Sequence, residues 1–146
     1  MKRLMTAATL TLATLAAPMA HAEGPSRLVT VLTAPEPQTQ LMAMVLNMQA
    51  VAQGKTVHIL LCGPAADIAL KEAPASATAG QPPKGMSPQG LMQTIMSKPD
   101  TKVEVCAIYL PGKGATPEVL LDGVGVAKPE DMASSIMSED TQVMSY

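Results

Sequence analysis

Thr56-Val57-His58-Ile59-Leu60-Leu61-Cys62 decides the fold. The run is nearly continuous in apolar, β-favouring residues and does not alternate, which is the pattern of a strand buried on both faces of a parallel sheet. Upstream, Gly54 stops a helix at about Gln38–Gln53, where Leu41, Met44, Val45, Met48 and Ala52 recur at helical spacing. Before it, Arg27–Thr33 is a short β-branched strand ended by Pro35 and Pro37. Downstream, Gly63-Pro64 opens a short helix over Ala65–Lys71, and residues 72–86, with no periodicity and three prolines, form a long loop. Ser87-Pro88 supplies an N-cap and a first-turn proline for a helix that Leu91, Met92, Ile95 and Met96 carry to Lys98. Lys102–Leu110 reads as a third strand, Pro111–Gly114 as a loop, Thr116–Leu121 as a weak helix and Gly123–Val126 as a short fourth strand. Pro129–Ser138 reads as a helix with Met132, Ile136 and Met137 inward, and Thr141–Ser145 as an edge strand. Strands separated by helices imply right-handed crossovers, so the expected fold is α/β: a three-layer sandwich with a mainly parallel sheet of about five strands flanked by helices.

The chain has 146 residues, the size of one domain. Its first 22 residues read as a secretory signal. Lys2 and Arg3 form a positive start, Leu4–Ala17 is apolar, and Ala20-His21-Ala22 is a cleavage site, so a mature single domain is expected over residues 23–146, beginning at Glu23. The apolar stretch falls short of the ~20 residues that span a bilayer, and no Cys follows the cleavage site to carry a lipid. The expectation is a periplasmic protein with no membrane association after cleavage, in an oxidising space. Two Tyr, no Phe and no Trp argue against a base-stacking module, and a net charge of −2 lacks the basic footprint of a nucleic-acid binder. No dinucleotide or P-loop glycine fingerprint is present, so no cofactor is expected, and two cysteines are too few for a Cys-only zinc site.

Chemistry is expected at the carboxyl edge of the sheet, where open α/β sheets bind ligands. Cys62 ends strand two just before a helix start, where free N–H groups favour the thiolate. Cys106 lies late in strand three. Each is equally readable as a small buried hydrophobe. A bridge between them is a third reading. If strand one lay between strands two and three, the cysteines would stand two ladder spacings apart, roughly 9–10 Å, beyond the ~7 Å a disulfide permits. His58 alternates with Val57 and Ile59 and reads as a sheet histidine rather than a ligand or base. Met86, Met92 and Met96 cluster at the loop–helix junction; thioethers suit copper(I), although the same spacing makes a core stripe. The acidic residues are scattered and read as solvated surface.

Taken in order, several segments resemble the DsrE/DsrF-like family, which includes the TusD-type sulfur-relay subunits. They are Gly54-Lys-Thr-Val-His-Ile-Leu-Leu-Cys62-Gly63, then Pro82-Pro83-Lys84-Gly85-Met86-Ser87-Pro88 before a helix, Val103-Glu-Val-Cys106-Ala-Ile-Tyr-Leu-Pro111, and Leu120-Leu-Asp-Gly123-Val124. The resemblance implies a compact parallel α/β domain that assembles into homo- or hetero-oligomers such as trimers and hexamers. In the sulfur-relay members a Cys after the third-strand region carries a persulfide between partners; the matching position is Cys106, with Lys113 the first cation downstream in sequence and the Pro82–Pro88 loop a cover for the same edge. This chain departs in carrying an export signal and a second Cys at position 62. Two readings of function follow. One is a periplasmic carrier that moves sulfur between a donor and an acceptor protein on Cys106, assisted by Cys62, as a sulfurtransferase-like relay and not a classical enzyme. The other is a non-enzymatic oligomeric binding protein whose cysteines are structural, or a Met/Cys copper(I)-binding protein.

Overall fold

The computed structural model describes residues 24–146; the leader expected at 1–22 and the cleavage site expected after it lie outside the described residues. Five strands, β1 (Arg27–Leu32), β2 (Thr56–Leu61), β3 (Thr101–Val105), β4 (Gly125–Val126) and β5 (Thr141–Ser145), form one sheet in the order β4-β3-β2-β1-β5. Every pairing is parallel. The helices are α1 (Pro37–Ala52), α2 (Ala75–Thr78), α3 (Pro88–Met96), α4 (Tyr109–Lys113) and α5 (Pro129–Ile136), with 3-10 turns at Gly63–Ala69 and Pro117–Val119. The expected α/β sandwich with a parallel sheet is therefore the observed fold. No helix among the described residues is long and apolar enough to cross a membrane.

Successive side chains of a strand point to opposite faces, so the registers sort the core. On one face Leu28 and Leu32 of β1, Val57, Ile59 and Leu61 of β2, and Val103 and Val105 of β3 pack beneath Ala43 and Met44 of α1 and Leu91, Met92 and Ile95 of α3. Thr30 joins this face without an apolar partner; its hydroxyl donates to Asn47 Oδ1 of α1 at 3.0 Å, and Asn47 Nδ2 donates to the Ala43 carbonyl at 2.7 Å. On the other face Val29, Leu60, Ala127 and Met132 form a smaller cluster, flanked by Val31, Val143, Ile136 and the two cysteines. Among the described residues, α5, crossing back from β4 to β5 at the far edge, is the helix that packs on it, through Met132 and Ile136. Ser87 caps α3 as its sequence predicts, Oγ accepting from the Gly90 N–H at 3.1 Å.

Four sequence readings are corrected. Strand three ends at Val105 and not Leu110: the Ile-Tyr-Leu run enters α4, whose first turn accommodates Pro111 because N–H groups there have no intrahelical partner. The long loop at 72–86 contains α2, anchored by buried Ala77, and a turn closed by the Gln81–Met86 bridge. The segment 116–121 reduces to a single 3-10 turn. Met137 lies past the end of α5 and is 81% exposed, whereas Met132 is buried as expected.

Candidate functional site

β2 and β3 are direct neighbours, so strand one does not lie between them. That removes the reason for keeping the cysteines apart. Cys62 leaves β2 with its N–H still donating to the Leu32 carbonyl at 2.9 Å, and Cys106 leaves β3 donating to the Leu61 carbonyl at 2.8 Å. Both thus continue the ladder one step past their strands and land side by side at the carboxyl edge. Their Cα atoms are 5.1 Å apart and their sulfurs are joined in a disulfide across 44 residues of sequence. The pair is half-buried and packs against the small apolar cluster. The sheet reverses its winding between β1 and β5, so the pair lies on the edge favoured for ligands but not at the switch point itself.

The segments that lead out of the two cysteines are tied together. Tyr109, whose N–H donates to the Cys106 carbonyl at 2.9 Å, sends its hydroxyl to Asp67 Oδ1 at 2.7 Å. Lys113 Nζ reaches the same Asp67 oxygen at 2.9 Å and lies 5.5 Å from the centre of the Tyr109 ring. Burial, reinforced by the Asp67 carboxylate, pushes the Tyr109 phenol well above its ordinary range, so it remains a donor. Lys113 is therefore held by Asp67, where the sequence suggested a cation for a thiolate. The element after Cys62 is a 3-10 turn of seven residues with Pro64 near its start, and so offers less of a thiolate-favouring N-terminus than the expected helix.

Beneath the disulfide on the same face lies a group the sequence did not disclose. Glu104, read as solvated surface, is only 7% exposed. Its Oε2 lies 2.8 Å from His58 Nε2 on β2, and its Oε1 accepts from Lys102 Nζ at 3.0 Å. Room for the carboxylate comes from Gly125, opposite Glu104 on β4: a Cβ there would stand 3.1 Å from Oε1. With the ring neutral, Nε2–H donates to the carboxylate. Burial lowers the His58 pKa below its ordinary 6.5, and Glu104 opposes that only in part. His58 is thus a satisfied sheet histidine, as expected, and it also lines a polar cleft of about 510 Å³ at the amino end of the sheet with Arg27, Lys102, Asp131 and Ser135. The Lys-Val-Glu-Val-Cys alternation was the available signal: it places Lys102, Glu104 and Cys106 on one face of β3.

The methionines do not gather around a site. Met92 is fully buried in the larger core, and Met86 and Met96 pack against that core. The Pro82–Pro88 loop meets Leu41, Val45 and Met48 of α1 around an apolar groove of about 270 Å³, on the α1 side and not over the cysteines. No group of three or more His, Cys, Asp or Glu with metal-binding geometry occurs among the described residues.

No family model and no curated protein matches the sequence. Solved structures do. The YchN protein from E. coli superposes with a TM-score of 0.59 at 20% identity, over 82% of this chain and 98% of its own. The protein MTH1491 from Methanobacterium thermoautotrophicum superposes with a TM-score of 0.59 at 11% identity, over the same shares. The chain has a DsrE-like fold. At these identities the likeness carries architecture, and activity must be argued from the site.

Proposed function

We propose that this DsrE-like chain is an exported sulfur carrier that works through Cys106, with Cys62 as its resolving partner. The observation that carries the reading is the meeting of the two cysteines, half-buried at the carboxyl edge of adjacent strands with Cα atoms 5.1 Å apart. A reduced Cys106 thiolate attacks the outer sulfur of a donor persulfide; the donor's S–S bond breaks, the donor leaves as a thiolate, and Cys106 holds the extra sulfur. An acceptor thiolate then takes that outer sulfur and returns Cys106 to a thiolate. Without an acceptor, the Cys62 thiolate attacks Cys106 Sγ, hydrosulfide leaves, and the Cys62–Cys106 disulfide forms. A dithiol reductant reopens it and is itself oxidised to a disulfide. In this reading the protein acts in the periplasm after cleavage behind Ala22, handles sulfur for donor and acceptor proteins, and assembles with copies of itself as a trimer or hexamer. Exposed Ile108 and Met42 support that assembly with apolar surface to cover.

The test is intact mass measurement of the reduced, folded protein after exposure to polysulfide. Cys62→Ser should accumulate a gain of about 32 Da, the mass of one sulfur. The parent should show the same gain passing into the disulfide, and Cys106→Ser should show none. Absence of any gain on native Cys62→Ser would leave the cysteines as a structural bridge.

A further inference from the structure

The disulfide joins two arms of chain, Gly63–Leu70 after Cys62 and Ala107–Leu121 after Cys106. Their far ends are pinned by backbone: the Leu121 N–H donates to the Ala69 carbonyl at 2.8 Å and the Lys71 N–H to the Val119 carbonyl at 2.9 Å, flanking a Leu70–Leu120 bridge. Near the cysteines no such ladder exists between the arms. What joins them there is Asp67, which receives the Tyr109 hydroxyl at 2.7 Å and Lys113 Nζ at 2.9 Å. Tyr109 is also bonded through its N–H to the carbonyl of Cys106 itself, so the contact with Asp67 acts within one hydrogen bond of the reactive residue.

We propose that Tyr109 and Asp67 are positioning residues that hold Cys62 and Cys106 at bonding distance when the pair is reduced, with Lys113 as a minor support. This deepens the two-cysteine reading above and rests on it. When the disulfide is intact it restrains the near ends of both arms. Once it opens, the ladder still ties the Cys106 N–H to the Leu61 carbonyl, and the Tyr109–Asp67 bond adds a side-chain tie between the arms beyond it, so the dithiol stays poised to close. Removing that bond gives freedom mainly to the dithiol form, and so weakens closure. Loss of ordinary packing would burden both redox forms alike.

The experiment equilibrates the full chain with oxidised and reduced glutathione, in which the protein dithiol and one oxidised glutathione exchange with the protein disulfide and two reduced glutathiones. Alkylation and mass measurement then count the two forms, and denaturation of the oxidised protein is measured alongside. Tyr109→Phe, which deletes one hydroxyl and keeps the ring, should shift the equilibrium toward dithiol by about three- to tenfold, the net weight of one ordinary hydrogen bond. Lys113→Met should shift it by less than about twofold, because that ion pair is partly open to solvent. If Tyr109→Phe leaves the glutathione equilibrium within about twofold of the parent, the proposal fails, whatever happens to the unfolding midpoint. No persulfide enters this experiment: a protein that refuses sulfur yet shows the shift would lose the carrier reading and keep the clamp.

Discussion

The two faces of the sheet are built on different terms. One lies beneath α1 and α3 and is filled by Leu32, Ile59, Leu61, Met44, Met92 and Ile95, all fully buried. Its polar insertions, Thr30 with Asn47 and Gln40 donating to the Ala34 carbonyl, are closed internally. The other lies beneath the eight residues of α5, and along it run Lys102, Glu104, His58 and the disulfide. The first face supplies cohesion. The second gives up apolar contact in exchange for a buried ionic group and a half-exposed sulfur pair, the kind of local departure from a packing rule that marks functional positions.

That contrast can be broken most severely in the first face. Ile59→Ala should cost about 2–5 kcal/mol in urea denaturation, while Val143→Ala, half-buried on the opposite face of an edge strand, should cost less than about 1 kcal/mol. Equal costs would mean the two faces contribute alike. The second face can be probed at Gly125. Gly125→Ala drives a Cβ against the Glu104 carboxylate and should cost about 1–3 kcal/mol, but nearly nothing in a Glu104→Ala background, where the space is empty. The same cost in both backgrounds would show that Gly125 answers to something other than Glu104.

A smaller effect is expected from pH. The unfolded His58 ring takes a proton near 6.5, while the buried ring resists it, so the unfolded chain binds more protons below that value. Stability from this source is complete above pH 6.5 and declines as pH falls below it, by at most about 1.4 kcal/mol per pH unit. The Asp140 carboxyl, held low by its hydrogen bonds from the Ser26 hydroxyl and N–H, adds a separate loss only in the acid range below its ordinary 3.8. Denaturation of His58→Gln from neutral pH to just below 6.5 should give the flatter profile; parallel profiles would remove His58 as the cause.

Local chemistry made much of the fold legible. The unbroken apolar run of β2, the spacing of α1 and the Ser87-Pro88 start of α3 each act within a few residues, and each places its element correctly. What the sequence left open were choices between distant segments. Nothing in residues 27–33 says whether that strand lies between β2 and β3 or outside them, and the distance between the cysteines turned on that choice. Asp67 and Tyr109 are 42 residues apart, and no local pattern announces their bond. Glu104 reads as surface until β4 covers β3 with a glycine at the right register. The β-favouring Ile-Tyr-Leu run extended strand three past Cys106 because propensity cannot register that β2 has already ended at Leu61.

Cys62 and Cys106 are either working thiols or a staple. Treatment of the folded protein with a small dithiol reductant, followed by a maleimide and mass measurement without denaturant, decides it. Working thiols should give adducts on both cysteines in the native state, with the far-ultraviolet dichroism of the reduced protein unchanged, because the larger core is built without the two cysteines. A disulfide that resists reduction, or cysteines that label only after unfolding, would contradict that role.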